Sequence, residues 1–145
     1  MDDLAAWSAW RSFDERAVSE APTTPGVYML REGREGPVVY VGMAGERRGK
    51  GLRERLRVYT SGKGMVSGLG EAAMDRALAD AAWLRHRLQE VEAGRPERAK
   101  RWAAAAIARA DLHVRWASTQ TADEAKRLER SVLARFESGL WNRRR

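Results

Sequence analysis

Two short apolar runs in the first third of the chain are separated by polar, glycine-containing residues. Positions 27–30 and 38–41 hold β-branched, aromatic and aliphatic side chains, whereas positions 31–37 are charged residues, glycine and proline. The first composition favours strands and the second favours turns. The pattern therefore predicts a β-hairpin, with Gly26 opening its first strand and Gly42 closing its second.

A helical pattern follows the hairpin after a basic loop with three glycines, residues 43–51. Apolar residues at 52, 56 and 59 recur at the spacing of one helix face. Arg55 falls at the edge of that face, and a guanidinium that faces a core needs an anionic partner, so Arg55 is a candidate site residue. Arg53 points away and is expected to be solvated or to contact phosphate non-specifically. The loop either brings backbone N–H groups and Lys50 to a phosphate or is an ordinary surface turn.

A second helix with a charged residue on its apolar face is predicted near the C-terminus. Thr121, followed three residues later by Glu124, fits a capping box and marks the helix start. Glu129 projects into the middle of an apolar stripe made of Ala125, Leu128, Val132 and Phe136. A buried carboxylate needs a cation, a metal ion or hydrogen-bond donors, and an ion pair with one of the many arginines would also satisfy it.

The remaining segments complete an α+β pattern. Residues 1–22 alternate tryptophan with charged residues and predict a helical extension that packs on the sheet, and residues 60–111 predict a helical insertion. Within that insertion, Lys63 lies in a glycine-rich loop that is a candidate phosphate contact. Alternation over 112–116 predicts a third strand. We therefore expect one domain, 1–145, with a small three-stranded antiparallel sheet flanked by helices and the helical insertion before the third strand.

Inside the insertion, the pattern predicts a helix over 71–91 that is broken near Asp80. Pro96 then stands where a first helical turn accepts proline, so a further helix is expected to start there.

The amino-acid composition limits which kinds of site and which kinds of partner are expected. The 145 residues include no cysteine and two histidines, which excludes disulfides and makes a structural zinc site implausible. Lysine and arginine number 27 against 20 acidic residues, a net charge of +7. That excess favours a polyanionic partner, although the ordinary solvated surface of an arginine-rich protein would also account for it. No leader or membrane span is found, so we expect a cytoplasmic protein with no membrane partner.

Five features together resemble the GIY-YIG nuclease domain. They are the tripeptides at 26–28 (GVY) and 40–42 (YVG), Arg55, Glu129 and Asn142. The family's two tripeptides lie on adjacent strands of a small antiparallel sheet. The resemblance implies a metal-dependent endonuclease that hydrolyses phosphodiester bonds in DNA, with DNA preferred over RNA on family grounds.

The resemblance also assigns roles. Tyr40 would act as the general base, assisted by the hydroxyl of Tyr28 and by Arg55, which would clamp the scissile phosphate. Glu129 would hold one divalent metal ion, Mg²⁺ or Mn²⁺. Gly26, Gly42 and Asn142 would support the site, and Tyr59 stands where relatives have histidine or tyrosine on the substrate side.

Two departures leave an alternative open. Met43 stands where a lysine commonly follows the second tripeptide, and the insertion is large. Both favour a nucleic-acid-binding module of the same fold with little or no cleavage. An arginine-rich protein-interaction domain is a third alternative, but it would leave Glu129 unexplained. Recognition of a particular site would come from the insertion, from a second copy in a homodimer or from a partner subunit.

Overall fold

The computed structural model of the chain describes residues 1–142. Over these residues the fold is α+β, with four antiparallel strands in one sheet and six α-helices. In chain order the elements are β1 (Arg11–Ser12), α1 (Glu15–Glu20), β2 (Gly26–Glu32), β3 (Val38–Ala44), α2 (Gly51–Thr60), α3 (Gly68–Leu78), α4 (Ala81–Glu92), α5 (Ala99–Arg109), β4 (Leu112–Ser118) and α6 (Ala122–Leu133). The strand order in the sheet is β1-β4-β2-β3. Among the helices of the described chain, none is long and apolar enough to cross a membrane.

The chain divides into two compact units. The first comprises Met1–Arg57 and the described part of Asp111–Arg145, and it contains the whole sheet with α1 and α6. The second, Val58–Ala110, contains α3, α4 and α5 and covers nearly the same residues as the predicted insertion, 60–111.

The predicted hairpin is present as β2 and β3, and the predicted third strand is β4. In the hairpin, Tyr28 pairs with Gly42 and Met29 with Val41, and the register shifts between Leu30 and Arg31. Because side chains alternate along a strand, Tyr28 and its neighbour Met29 face opposite sides of the sheet. Both are fully buried, so both faces of the sheet are covered.

The face that carries Met29 holds the main apolar cluster of the first unit. Val27, Met29 and Val41 pack there with Val132 of α6, and each of these four side chains is 0 % exposed. Partly buried apolar residues complete the cluster, among them Trp7, Trp10, Leu128 and Phe136. The apolar face of α6 is therefore fixed against the hairpin, which sets the direction of its remaining side chains.

The N-terminal extension differs from its prediction. Residues 1–10 form no α-helix; instead β1 pairs with β4 and becomes a fourth strand, and α1 begins only at Glu15. The physical reason lies in the backbone hydrogen bonds, because the N–H groups of Ser8 and Phe13 donate to Trp116 and Leu112 of β4 and not along a helix. The tryptophans do cover the sheet as predicted.

Those tryptophans contact cations on the sheet surface. The guanidinium of Arg115 lies 5.0 Å from the centroid of the Trp7 ring and 4.8 Å from that of Trp10. Arg31 lies 4.3 Å from the Trp10 ring. Cation–π contacts of this kind help to hold the two guanidinium groups against the indole rings, and Arg115 also forms an ion pair with Asp2 at 3.7 Å.

The second unit follows its prediction in one place and departs from it in another. The helix is broken at Asp80, which caps α4 by accepting hydrogen bonds from the N–H groups of Ala82 and Trp83. The next helix starts at Ala99, however, and not at Pro96. Arg98 is still extended, with a ψ of 155°, so the first helical turn cannot include the proline.

Candidate active site

An open cavity of about 910 Å³ lies in the first unit along β3. Side chains from both faces of that strand line it, since Tyr40 and Met43 alternate in direction. Further lining residues come from β2, α2, α6 and the segment after α6. The cavity brings together four predicted catalytic residues, namely Tyr28, Tyr40, Arg55 and Glu129.

The two tyrosines form a stacked pair on one face of the hairpin. Their ring centroids are 6.2 Å apart and the ring planes make an angle of 24°. Tyr28 is opposite Gly42 in the register, so Tyr40 is its diagonal neighbour across the two strands. The side chain of Arg55 enters from α2, and its Nε donates a 3.4 Å hydrogen bond to the hydroxyl oxygen of Tyr28.

The glycines of both tripeptides permit close approach. A Cβ on Gly42 would lie 2.3 Å from Cζ and from the hydroxyl oxygen of Tyr28, so the Tyr28 ring crosses directly over Gly42. A Cβ on Gly26 would lie 2.3 Å from the carbonyl oxygen of Ala117 and 2.7 Å from Cδ1 of Leu52. Gly26 therefore lets the start of α2 pack tightly on the sheet, and Gly42 makes room for the tyrosine pair.

Glu129 is presented by α6. The side chain of Thr121 accepts a hydrogen bond from the Glu124 N–H and caps the helix, as predicted, whereas the Glu124 carboxylate accepts from the N–H of Gln120. Ala125 and Val132 are fully buried and fix the helix. Glu129 itself is only half-buried, which corrects the expectation of a carboxylate inside an apolar stripe. The reason is that α6 ends at Leu133, so Phe136 does not continue that helix face and the cavity opens beside Glu129.

Asn142 binds the outer edge of β3. Its side-chain oxygen accepts a 3.0 Å hydrogen bond from the Val41 N–H, and its side-chain nitrogen donates a 2.7 Å bond to the Val41 carbonyl oxygen. The Trp141 N–H donates to the carbonyl oxygen of Val39. Asn142 thus acts as a substitute strand partner at an edge that would otherwise be unpaired.

Part of the backbone of the basic loop is engaged in hydrogen bonds within the loop, which favours the surface turn over the phosphate contact. The N–H groups of Gly49, Lys50 and Gly51 all donate to the carbonyl oxygen of Glu46. The side chain of Arg53, expected to be solvated, is half-buried and its Nε donates to the carbonyl oxygen of Ala21 at 2.9 Å. The Lys50 side chain is exposed. Neither Lys50 nor Arg53 is among the described residues that line the cavity.

Two predicted substrate-binding residues belong to the second unit. Tyr59 is 1 % exposed, and Lys63 is exposed in the loop before α3. Two glycines near Lys63 have a packing reason: a Cβ on Gly62 would lie 2.0 Å from the Lys100 carbonyl oxygen, and one on Gly70, in α3, would lie 1.8 Å from that of Gly64. A role in substrate binding for Tyr59 and Lys63 remains a prediction.

Sequence reasoning missed several residues that line the cavity. Lys126 and Arg130 lie there on α6, and Glu137 lies in the segment after it. Lys126 stands three residues before Glu129, and Arg130 stands four residues after Lys126; these spacings make each pair neighbours on the helix surface, which is the signal that could have identified them.

The donor set fits a hard divalent cation that shares its coordination with substrate. Glu129 and Glu137 supply carboxylate oxygens and the tyrosines supply hydroxyls. Over residues 1–142, no three histidine, cysteine, aspartate or glutamate side chains are grouped so that they could hold a metal ion by themselves. Mg²⁺ commonly binds through one or two carboxylates and completes its shell with phosphate oxygens and water, so a single carboxylate in an open cavity suffices for it.

Comparisons with known proteins add no family assignment. A scan against protein-family models found no match to this chain, and searches among curated proteins and among solved structures found none either.

Proposed function

We propose that this protein is a metal-dependent endonuclease of the GIY-YIG type that hydrolyses phosphodiester bonds in DNA. One observation supports the proposal above the others. Tyr28, Tyr40, Arg55 and Glu129 come from four different secondary-structure elements, yet all four line one open cavity. A purely structural ion pair would not need two stacked tyrosines at the same opening.

Each side chain suits a requirement of phosphodiester hydrolysis. The reaction needs a base for the attacking water and a group that stabilises the extra negative charge on phosphorus. Tyr40 is the proposed base. Arg55 is the proposed phosphate ligand, because its planar guanidinium can donate two parallel hydrogen bonds to phosphate oxygens. Its hydrogen bond to the Tyr28 hydroxyl helps to fix the plane of the guanidinium group.

Glu129 is the proposed ligand of Mg²⁺ or Mn²⁺. When bound, such an ion would neutralise charge on the leaving oxygen. Asn142 has a supporting role in this proposal, since its two hydrogen bonds hold Val41, the residue between Tyr40 and Gly42.

The test is nicking of supercoiled plasmid with Mg²⁺, Mn²⁺ or EDTA. Glu129→Gln and Tyr40→Phe should each lower the metal-dependent rate by about 10²-fold or more, the range for loss of a general base or charge-stabilising group. Asp123→Asn is the control, because Asp123 is an exposed carboxylate on the same helix as Glu129 but outside the cavity lining. Cutting that persists in both site variants would contradict the assigned roles.

A binding module with little cleavage is the second candidate. Met43 supports it, because a neutral thioether lines the cavity where a cation would help to lower the pKa of a tyrosine base. Salt-sensitive DNA binding without cutting by any form of the protein would favour this candidate over the nuclease.

A further inference from the structure

The cavity wall formed by α6 carries two cations with no assigned role. Lys126 and Arg130 are four residues apart and are therefore neighbours on the helix surface, and Glu129, three residues after Lys126, is a neighbour of Lys126 as well. All three line the cavity. Arg127 is also exposed on α6, but it is not among the described residues that line the cavity.

The charges of Lys126 and Arg130 are not neutralised within the described chain. Over residues 1–142, neither side chain forms a hydrogen bond or an ion pair. Other surface arginines of the first unit do have partners, as Arg135 does with Asp3 at 2.7 Å. Two unneutralised cations beside a carboxylate are electrostatically suited to a ligand with several negative charges.

The spacing suits the backbone of a nucleic acid strand. Four residues of α-helix rise by about 6 Å. Phosphates of one DNA strand recur about every 3.4 Å along the helix axis, so two long cationic side chains about 6 Å apart can reach different phosphates of the same strand. Arg55 is the third cation among the described residues of the cavity lining.

On the basis of the proposed function, we propose that Lys126 and Arg130 bind the phosphates that flank the scissile one. The two residues position the strand across the cavity, while Arg55 takes the central phosphate. They therefore contribute to substrate binding and not to the chemical step, because the contacts are equal in the ground state and in the transition state.

The experiment measures binding of a fluorescein-labelled DNA duplex in EDTA over a series of salt concentrations. Lys126→Met and Arg130→Met should each lower the slope of log K against log salt by about 0.9, and the double variant by about twice that amount. Each single variant should weaken binding by roughly 2- to 5-fold, as expected for one exposed ion pair. Arg127→Met should match the wild type, and Lys126→Arg should restore the slope.

Cleavage kinetics give a second readout that a merely structural role would not produce. With Mg²⁺, the two variants should raise KM while kcat stays within about 2-fold of wild type, the pattern for lost uniform binding. Both substitutions are at exposed positions, so circular dichroism should show the same fold.

The outcomes separate this inference from the proposed nuclease function. If Lys126→Met and Arg130→Met lower the slope as expected but the wild type does not cut, the two residues bind DNA phosphates and the nuclease proposal alone fails. If the protein cuts and Glu129→Gln abolishes cutting, but Lys126→Met and Arg130→Met leave slope and KM unchanged, the inference is overturned alone. An equal loss in Arg127→Met would overturn it as well, because the effect would then be one of net charge. No DNA binding by the wild type would overturn both.

Discussion

Gly42→Ala should damage the cavity by displacing the Tyr28 ring. An added Cβ would lie 2.3 Å from two atoms of that ring, whereas ordinary van der Waals contact begins at 3.4 Å, so the ring would have to withdraw by about 1.1 Å. Tyr28 is 0 % exposed and stacks on Tyr40, so a shift of its ring disturbs the aromatic pair and the lining of the cavity. The contact is with a confined ring and not with a flexible surface side chain.

The expected loss of stability is about 2 kcal/mol. Overpacking of a buried site costs about 1–3 kcal/mol, and disruption of the aromatic pair adds about 0.5–1.5 kcal/mol. Removing a glycine from a strand offsets about 0.5–1 kcal/mol of this, because alanine loses less backbone entropy on folding. If the proposed function holds, a displacement of this size should also lower the cleavage rate by roughly 10²-fold.

Gly45→Ala is the matched control. Its Cβ would meet only Cβ of Ala122, at 3.7 Å, which is an ordinary contact. This variant should be neutral or more stable by about 0.4–1 kcal/mol. Urea denaturation and plasmid nicking of both variants provide the comparison. Equal stability and equal activity of Gly42→Ala and Gly45→Ala would show that the added Cβ does not displace Tyr28.

Two further predictions concern the chain ends. Asn142→Ala removes both hydrogen bonds to Val41 and should lower the free energy of unfolding by about 1–2 kcal/mol, measured by urea denaturation; an unchanged midpoint would contradict the edge-pairing role. The hydrogen bond from Arg135, with the N-terminal ammonium, lowers the pKa of Asp3 below its ordinary 3.8. A lowered folded-state pKa gives stability that is present above pH 3.8 and is lost as the pH falls toward the folded-state value. Asp3→Asn should therefore differ from wild type at pH 7 and converge with it in acid, and a constant difference would argue against this ion pair.

The elements whose causes are local could be predicted from the sequence alone. β-Branched and aromatic runs specified β2 and β3, and a hydroxyl at Thr121 specified the start of α6. Asp80 specified the break between α3 and α4, because its side chain bonds to the two N–H groups just after it. In each case the interacting atoms lie within a few residues, so periodicity and capping rules apply directly.

The features whose partners are distant in the chain could not be predicted, because they depend on tertiary contacts. β1 exists because residues near position 10 find hydrogen bonds on β4, about a hundred positions later, which overrides the amphipathic pattern that suggested a helix. The side chain of Arg53 is held by the carbonyl oxygen of Ala21, 32 positions earlier. No local pattern specifies which remote group satisfies a donor.

The candidate active site also depends partly on local sequence motifs and partly on tertiary packing. The sequence identified its tyrosines, Arg55 and Glu129 one motif at a time, but their meeting along β3 depends on how α6 packs on the hairpin. That packing also brought Lys126 and Arg130 to the cavity and left Lys50 and Arg53 out of its lining. The sequence gives the chemistry of each side chain. Which side chains lie close together depends on how the apolar faces of helices and strands are buried, and that is set only when the chain folds.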